Sequence, residues 1–271
     1  MWINGKQTDL VNAQQRAFSF GDGMFTTFRV SNGKVCHLAA HIERLRQGCE
    51  ALAIGGLDWQ RIEQEMNDVA ATAESSLMVG KAIISRGQGG RGYSADGVSE
   101  PLRAIGLFAF PSHCQTWREQ GVALAQADLQ LGIQPMLAGH KTLNRLEQVL
   151  GKQELTAKGA VEGVFCDSLG YVVECNASNL FWRKGQDIYT PDLSMAGVNG
   201  VFRRLVMTFC KERNMPVQVV RVQPAVLAEA DELFICNSVF GPVPVVSYQQ
   251  QNYQSHFVCR LLQKELDAIE S

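Results

Sequence analysis

Two periods of apolar and polar positions run along this chain of 271 residues. Strand-like runs, Phe25 to Val30 and Val35 to Leu38, flank Ser31-Asn32-Gly33-Lys34. Asn-Gly between two such runs predicts a hairpin. Apolar residues then recur at helical spacing, first at Ile42, Leu45, Cys49 and Leu52, then at Trp59, Ile62, Met66 and Val69. Strand-like runs over 77–85 and 102–110 flank a glycine-rich stretch.

Pro111-Ser112-His113 reads as a crossover. It divides the chain into a small N-terminal domain over 1–110, a linker over 111–117 and a larger C-terminal domain over 118–271. Beyond it the pattern predicts a strand at 122–125 and a helix over 143–158. The apolar stripe of that helix is Leu143, Leu146, Val149, Leu150 and Leu155. Strands follow at 161–166, 171–174, 179–182 and 187–190, the first two joined by Asp167-Ser168-Leu169-Gly170. A helix starts at Asn199-Gly200 and runs through Val201, Leu205, Val206 and Phe209. Strands over 217–222 and 232–236 precede a closing amphipathic helix over 256–269. Strands and helices do not alternate regularly, so the fold class is α+β in two units rather than a chain of βαβ repeats.

Composition narrows the partners. Formal net charge is -2, so no excess of positive charge draws nucleic acid or an anionic membrane surface. Apolar runs are too short to span a bilayer. The opening MWINGKQTDL has neither signal-peptide nor transit-peptide character. Eight cysteines, Cys36, Cys49, Cys114, Cys166, Cys175, Cys210, Cys236 and Cys259, show no CxxC spacing. Scattered thiols suit a reducing cytoplasm.

Several residues carry candidate chemistry. Gly87, Gly89 and Gly92 fit GxGxxG after a strand, but the chain continues YSADGVSEP, where a dinucleotide site needs a helix N-terminus. A loop that touches substrate is the better reading. Arg86 and Arg91 in it could hold a carboxylate or stand as solvated loop arginines. His37 and His41 lack the Glu of HExxH, and a cap or surface role is expected. Glu174 sits among strand-like apolar residues, where a carboxylate needs a partner. Gly197-Val198-Asn199-Gly200 before a helix, with free backbone N–H groups, could cradle a phosphate. Arg44 and Lys141 each read, alone, as surface residues.

Taken in order, these residues resemble one family, the class IV (fold type IV) pyridoxal-phosphate enzymes. Its signature is a Glu, Asn-Leu-Phe five residues on, an apolar-x-Thr and a Gly-apolar-x-basic element. Here those are Glu174, Asn179-Leu180-Phe181, Ile188-Tyr189-Thr190 and Val198 to Arg203. Asn176 stands where the signature usually has a small residue. FGDGMFTTFRV, HIERL and KTLNRLEQVL are further landmarks, and the resemblance covers essentially the whole chain. It implies a smaller N-terminal α/β sandwich and a larger barrel-like C-terminal domain with helices.

The resemblance also implies roles. Lys141 would form the Schiff base with pyridoxal 5'-phosphate and later move protons. Glu174 would pair with the pyridine nitrogen. Arg44, the N–H groups of Val198 and Asn199, and Ser238 would hold the phosphate. Thr27 would donate a proton near the leaving group, and Arg29 and Arg91 would meet substrate carboxylates. A homodimer is expected. SRGQGGRGYS and AGVNG look most like the lyase members, which split an aminated chorismate into 4-aminobenzoate and pyruvate. Leu146 stands where branched-chain aminotransferases usually place a tyrosine. The rivals are a D-amino-acid or branched-chain aminotransferase of the same fold and, more remotely, a non-catalytic binding protein.

Overall fold

Asn32 and Gly33 turn the chain with φ of 49° and 75°, left-handed values that suit a two-residue hairpin. They join β3 (Gly23–Ser31) to β4 (Lys34–Val35), with Val30 opposite Val35. This is a computed structural model; it describes residues 1–270. Its contacts separate two units, one of residues 1–110 and 140–144, the other of 111–139 and 145–269.

The first unit adds β1 (Trp2–Ile3), β2 (Lys6–Gln7), a short α1 (Arg16–Phe20), α2 (Leu38–Ala51), α3 (Trp59–Ala71), β5 (Leu77–Ser85) and β6 (Leu102–Ala109). Its sheet runs β2-β1-β6-β5-β3-β4, antiparallel throughout. Met24, Phe28 and Val30 of β3 join the two expected helical stripes in one core. Truncating a fully buried ring such as Phe28 to Ala would cost about 3–5 kcal/mol. The Asp58 side chain accepts from Arg61 N at 3.1 Å and caps α3. Because strand side chains alternate, Phe25, Thr27 and Arg29 share the opposite face. Opposite them in register stand Ile83, Lys81 and Val79.

The second unit contains α4 (His113–Gln120), β7 (Val122–Leu131), α5 (Leu146–Ala157), β8 (Glu162–Asp167), β9 (Val172–Cys175), β10 (Asn179–Lys184), β11 (Asp187–Pro191), α6 (Val201–Glu212), β12 (Val217–Val220), β13 (Glu232–Asn237), β14 (Gly241–Tyr248), β15 (Gln251–Asn252) and α7 (Phe257–Glu270). The strands run β12-β11-β10-β13-β14-β7-β8-β9, with β15 on β14. β9 also lies against β10 and β11, so the sheet curls upon itself. Phe181 and Phe234 stack at 5.0 Å in the core that α6 and α7 cover.

Three expectations change. Residues 111–117 are no free linker, since α4 begins at His113 and packs on β14. The segment 140–144 lies with the first unit, not with the rest of the C-terminal region. The 143–158 helix starts only at Leu146, because Leu143 N donates instead to Gly23 O at 3.0 Å. The apolar stripe of that helix is also corrected. Leu146, Val149 and Leu150 are 76%, 51% and 54% exposed, while Leu155 is buried.

Candidate active site

In the first unit, Lys141 sits on a short extended segment pinned to the start of β3. Its carbonyl accepts from Phe25 N at 3.1 Å, and Thr142 bridges Met24. A lysine meant for nucleophilic work needs such a rigid support. Its Nζ lies 4.6 Å from the Phe25 ring centroid and is half-buried. Lys81 Nζ lies 4.8 Å from the same ring. Thr27 and Arg29 are on the same face of β3 as Phe25. Lys141 and Lys81 thus share the Phe25 ring, neither Phe25 nor Lys81 having been singled out in the sequence, and Thr27 and Arg29 continue the same strand face.

Arg44 is on the helix-covered side. Its guanidinium donates to Thr26 Oγ1, whose oxygen also lies 2.6 Å from His41 Nδ1. All three residues are buried, so His41 is neither a cap nor a surface histidine. His37, at the N-terminal end of α2, has φ 53° and makes no side-chain cap.

Arg91 is exposed in the glycine-rich loop, which carries no helix. Arg86 does bind a carboxylate, but an internal one. Its Nε donates to Asp22 Oδ2 at 2.7 Å, while its other nitrogens donate to Ala53 O and Leu52 O. The buried Arg16 donates to the same Asp22 oxygen at 2.7 Å. Burial alone would raise the Asp22 carboxyl. The guanidiniums of Arg86 and Arg16 outweigh it and hold the group below its usual range.

In the second unit, Glu174 is 5% exposed, and its Oε2 accepts the Val198 N–H at 2.8 Å. The N–H groups of Val198, Asn199 and Gly200 are thus not free, contrary to the expectation from sequence. Val198 N serves Glu174, Asn199 N donates to Gly139 O at 3.0 Å, and Gly200 N donates to Asn179 Oδ1 at 3.2 Å. The signature residues hold this turn. Asn179 Nδ2 donates to Val198 O at 2.8 Å, and Arg203 donates to Asn199 Oδ1, Thr190 Oγ1 and Pro191 O. Gly197 has φ +83°, and a Cβ there would stand 2.5 Å from Val173 Cγ1 and 3.3 Å from Glu174 Cδ. The positive φ and the Val173 side chain both oppose any side chain at that position.

Burial lowers the Arg145 guanidinium pKa, against the opposing charges of Glu174 and Glu147. Ser238 is half-buried in the turn between β13 and β14, where Asn237 Oδ1 accepts from Val239 N and Phe240 N. Arg16 had no local sequence signal, and Asp22 and Arg145 lay within the landmarks FGDGMFTTFRV and KTLNRLEQVL without being singled out. Asn179 and Arg203 had one, as signature positions, but their latching role is visible only in space.

Each unit taken by itself holds a group whose chemistry fits a pyridoxal phosphate. The pinned, half-buried lysine suits bonding to an aldehyde. The oriented, buried carboxylate suits a protonated ring nitrogen.

Comparison with known proteins agrees. The model of the amino-transferase class IV family matches residues 23–248. The aminodeoxychorismate lyase of Vibrio harveyi is 39% identical over 90% of this chain and 89% of its own length. A crystal structure of 4-amino-4-deoxychorismate lyase from Pseudomonas aeruginosa superposes with a TM-score of 0.93, at 35% identity and 98% coverage of both chains. The D-alanine aminotransferase of Bacillus licheniformis is 27% identical over 90% of this chain and 85% of its own.

Proposed function

The chain belongs to the amino-transferase class IV family, and on that premise we propose that it is a pyridoxal-phosphate-dependent lyase converting 4-amino-4-deoxychorismate to 4-aminobenzoate and pyruvate. The observation that carries this reading is the 39% identity to the Vibrio harveyi lyase across nearly the full length of both proteins. The D-alanine aminotransferase stands at 27% over a similar span, so the transaminase reading is the weaker one.

Lys141 would hold the cofactor covalently through its amine. Glu174, oriented by the Val198 N–H, would take the ring nitrogen. Ser238 and the Val198-Asn199 turn are phosphate candidates, and Arg44, whose guanidinium already donates to Thr26, would have to turn part of its fork to the phosphate. The N–H groups of Val198 and Asn199 already have partners, so they would contribute by sharing them. When bound, the cofactor supplies an aldehyde for the substrate amine and a ring that accepts electron density.

The remaining chemistry falls to this chain's side chains. Lys141 Nζ would remove the proton from substrate ring carbon 4 as general base. The bond to the enolpyruvyl oxygen then breaks, and Thr27 would deliver a proton on that side. The carbocycle becomes aromatic, which drives the step, and enolpyruvate tautomerises to pyruvate. Arg29 and Arg91 would hold the two substrate carboxylates, since a guanidinium matches a carboxylate with paired donors.

Borohydride reduction followed by peptide mass analysis tests the lysine, and the cofactor mass should fall on the peptide containing Lys141. Dependence on an amino acceptor tests the reaction class, because a transaminase stalls without a 2-oxo acid and a lyase does not.

The working form is a homodimer on this reading. Leu146, Val149 and Leu150 expose an apolar strip on α5, larger than a lone surface residue would be. No helix among the described residues is long and apolar enough to cross a membrane. The cysteines are scattered along the chain without CxxC spacing, which supports a reducing, cytoplasmic setting.

A further inference from the structure

We infer that Arg16 is a positioning residue, which holds the glycine-rich loop so that Arg91 is presented to a substrate carboxylate. The inference rests on the proposed carboxylate role of Arg91. The loop over 87–99 has a closed neck. Ser99 N donates to Gln88 O at 2.9 Å, and Gln88 N donates to Ser99 Oγ at 3.0 Å. Above the neck the loop is nearly all exposed, with Tyr93 88% accessible. Apolar burial therefore does not hold its tip.

Arg16 holds it instead. Its guanidinium is buried, and Nη1 donates to Gly92 O at 3.2 Å and Ser94 O at 3.0 Å. Nη2 donates to Tyr93 O at 3.1 Å, and Nε donates to Asp22 Oδ2 at 2.7 Å. Three consecutive carbonyls directly after Arg91 thus converge on one cation. The Arg16 backbone N–H also donates to Gly87 O at 2.9 Å, at the start of the loop. Below the guanidinium lies the Phe20 ring at 4.7 Å, and Phe20 meets Tyr93 at 5.4 Å. Only a planar fork can reach three carbonyls and a carboxylate together. A lysine there keeps the charge and loses that geometry.

The loop side offers an independent perturbation. Gly90 has φ +74°, and a Cβ there would stand 2.5 Å from Ser94 O and 3.1 Å from Arg16 Nη1. Gly90→Ala should loosen the same latch without removing the buried cation.

The experiment measures KM and kcat of the holoenzyme with 4-amino-4-deoxychorismate for Arg16→Lys, Gly90→Ala, Arg91→Ala and Arg16→Lys/Arg91→Ala, with cofactor absorbance as a check of folding. It also follows trypsin cleavage after Arg91. Arg16→Lys and Gly90→Ala should each raise KM by about tenfold, as misplacement of a binding group does, with kcat nearly kept. Both should speed cleavage after Arg91. The double variant should show the KM of Arg91→Ala alone. If Arg91→Ala raises KM while Arg16→Lys and Gly90→Ala do not, the positioning role is overturned and the carboxylate reading stands. If Arg91→Ala leaves KM unchanged, the carboxylate reading fails and the positioning role fails with it. Full additivity in the double variant also overturns it, since Arg16 would then act apart from Arg91.

Discussion

Glu174 Oε2 accepts the main-chain N–H of Val198 at 2.8 Å, which ties a buried carboxylate on β9 to the turn that opens α6. One bond thus links the group proposed for the ring nitrogen to the turn proposed for the phosphate. Asn179 and Arg203 hold the same turn from its other side. Carboxylate and turn are thus tied into one hydrogen-bonded piece.

Replacing Glu174 with Gln separates tether from charge. The amide oxygen can still accept the Val198 N–H, but the side chain is neutral. Turnover should fall by about 100-fold or more, within the range found for loss of a proton-handling group. The urea midpoint should change little. A Gln variant with full activity would reduce Glu174 to a structural tether.

Gly197→Ala should damage the same piece through the backbone. The position has φ +83°, and the new Cβ would stand 2.5 Å from Val173 Cγ1. Strain and overpacking of this kind cost about 1–3 kcal/mol. Urea unfolding should show that loss, and dialysis should strip the cofactor faster than from the parent protein. An Ala variant of parental stability would mean that the turn relaxes.

Asp22 carries a pH signature. Its folded pKa lies below the ordinary 3.8, with Arg86 and Arg16 outweighing the effect of burial. A depressed carboxylate contributes stability that is fully present above the unfolded pKa and is lost as pH falls through the folded one. Asp22→Asn should therefore cost about 2 kcal/mol at neutral pH, as loss of a charge-assisted hydrogen-bond partner does. The gap from the parent should close as pH drops below the ordinary carboxylate value. Urea unfolding across that range checks it, and a gap that stays constant into acid would contradict the ionic role.

The apolar strip on α5 predicts self-association. The protein should sediment as a dimer, and Leu150→Glu, at a position 54% exposed, should shift it to monomer without unfolding it. A charged residue in an apolar contact loses its hydration without gaining a partner. A dimer untouched by this change would place the interface elsewhere.

The same helix shows what a linear pattern leaves out. Periodicity reveals that apolar residues share a spacing, but not which side of the helix meets the core. Gly151 and Leu155 face inward, while Leu146, Val149 and Leu150 face out. Leu143 fits the helical spacing, yet its N–H is claimed by Gly23, more than a hundred residues away along the chain. The hairpin at Asn32-Gly33 was legible because its geometry is local.

β14 went unread because Pro242 and Pro244 argue against a central strand. It forms because β7 begins its pairing with β14 only at Val245, so the missing N–H groups fall where that edge has no partner strand. Within the site, Lys141, Glu174 and Arg44 were legible only as members of an ordered family pattern. Arg16 was not legible at all, since the three carbonyls it holds lie 76 to 78 residues further on.

The most direct test of the account is to give the purified, cofactor-loaded protein 4-amino-4-deoxychorismate in buffer free of any 2-oxo acid, and to measure 4-aminobenzoate and pyruvate together. Equal amounts of both, formed over many turnovers and abolished by Lys141→Ala, are the result expected. No 4-aminobenzoate, alongside steady turnover of D-alanine with 2-oxoglutarate, would contradict it and make the protein a transaminase.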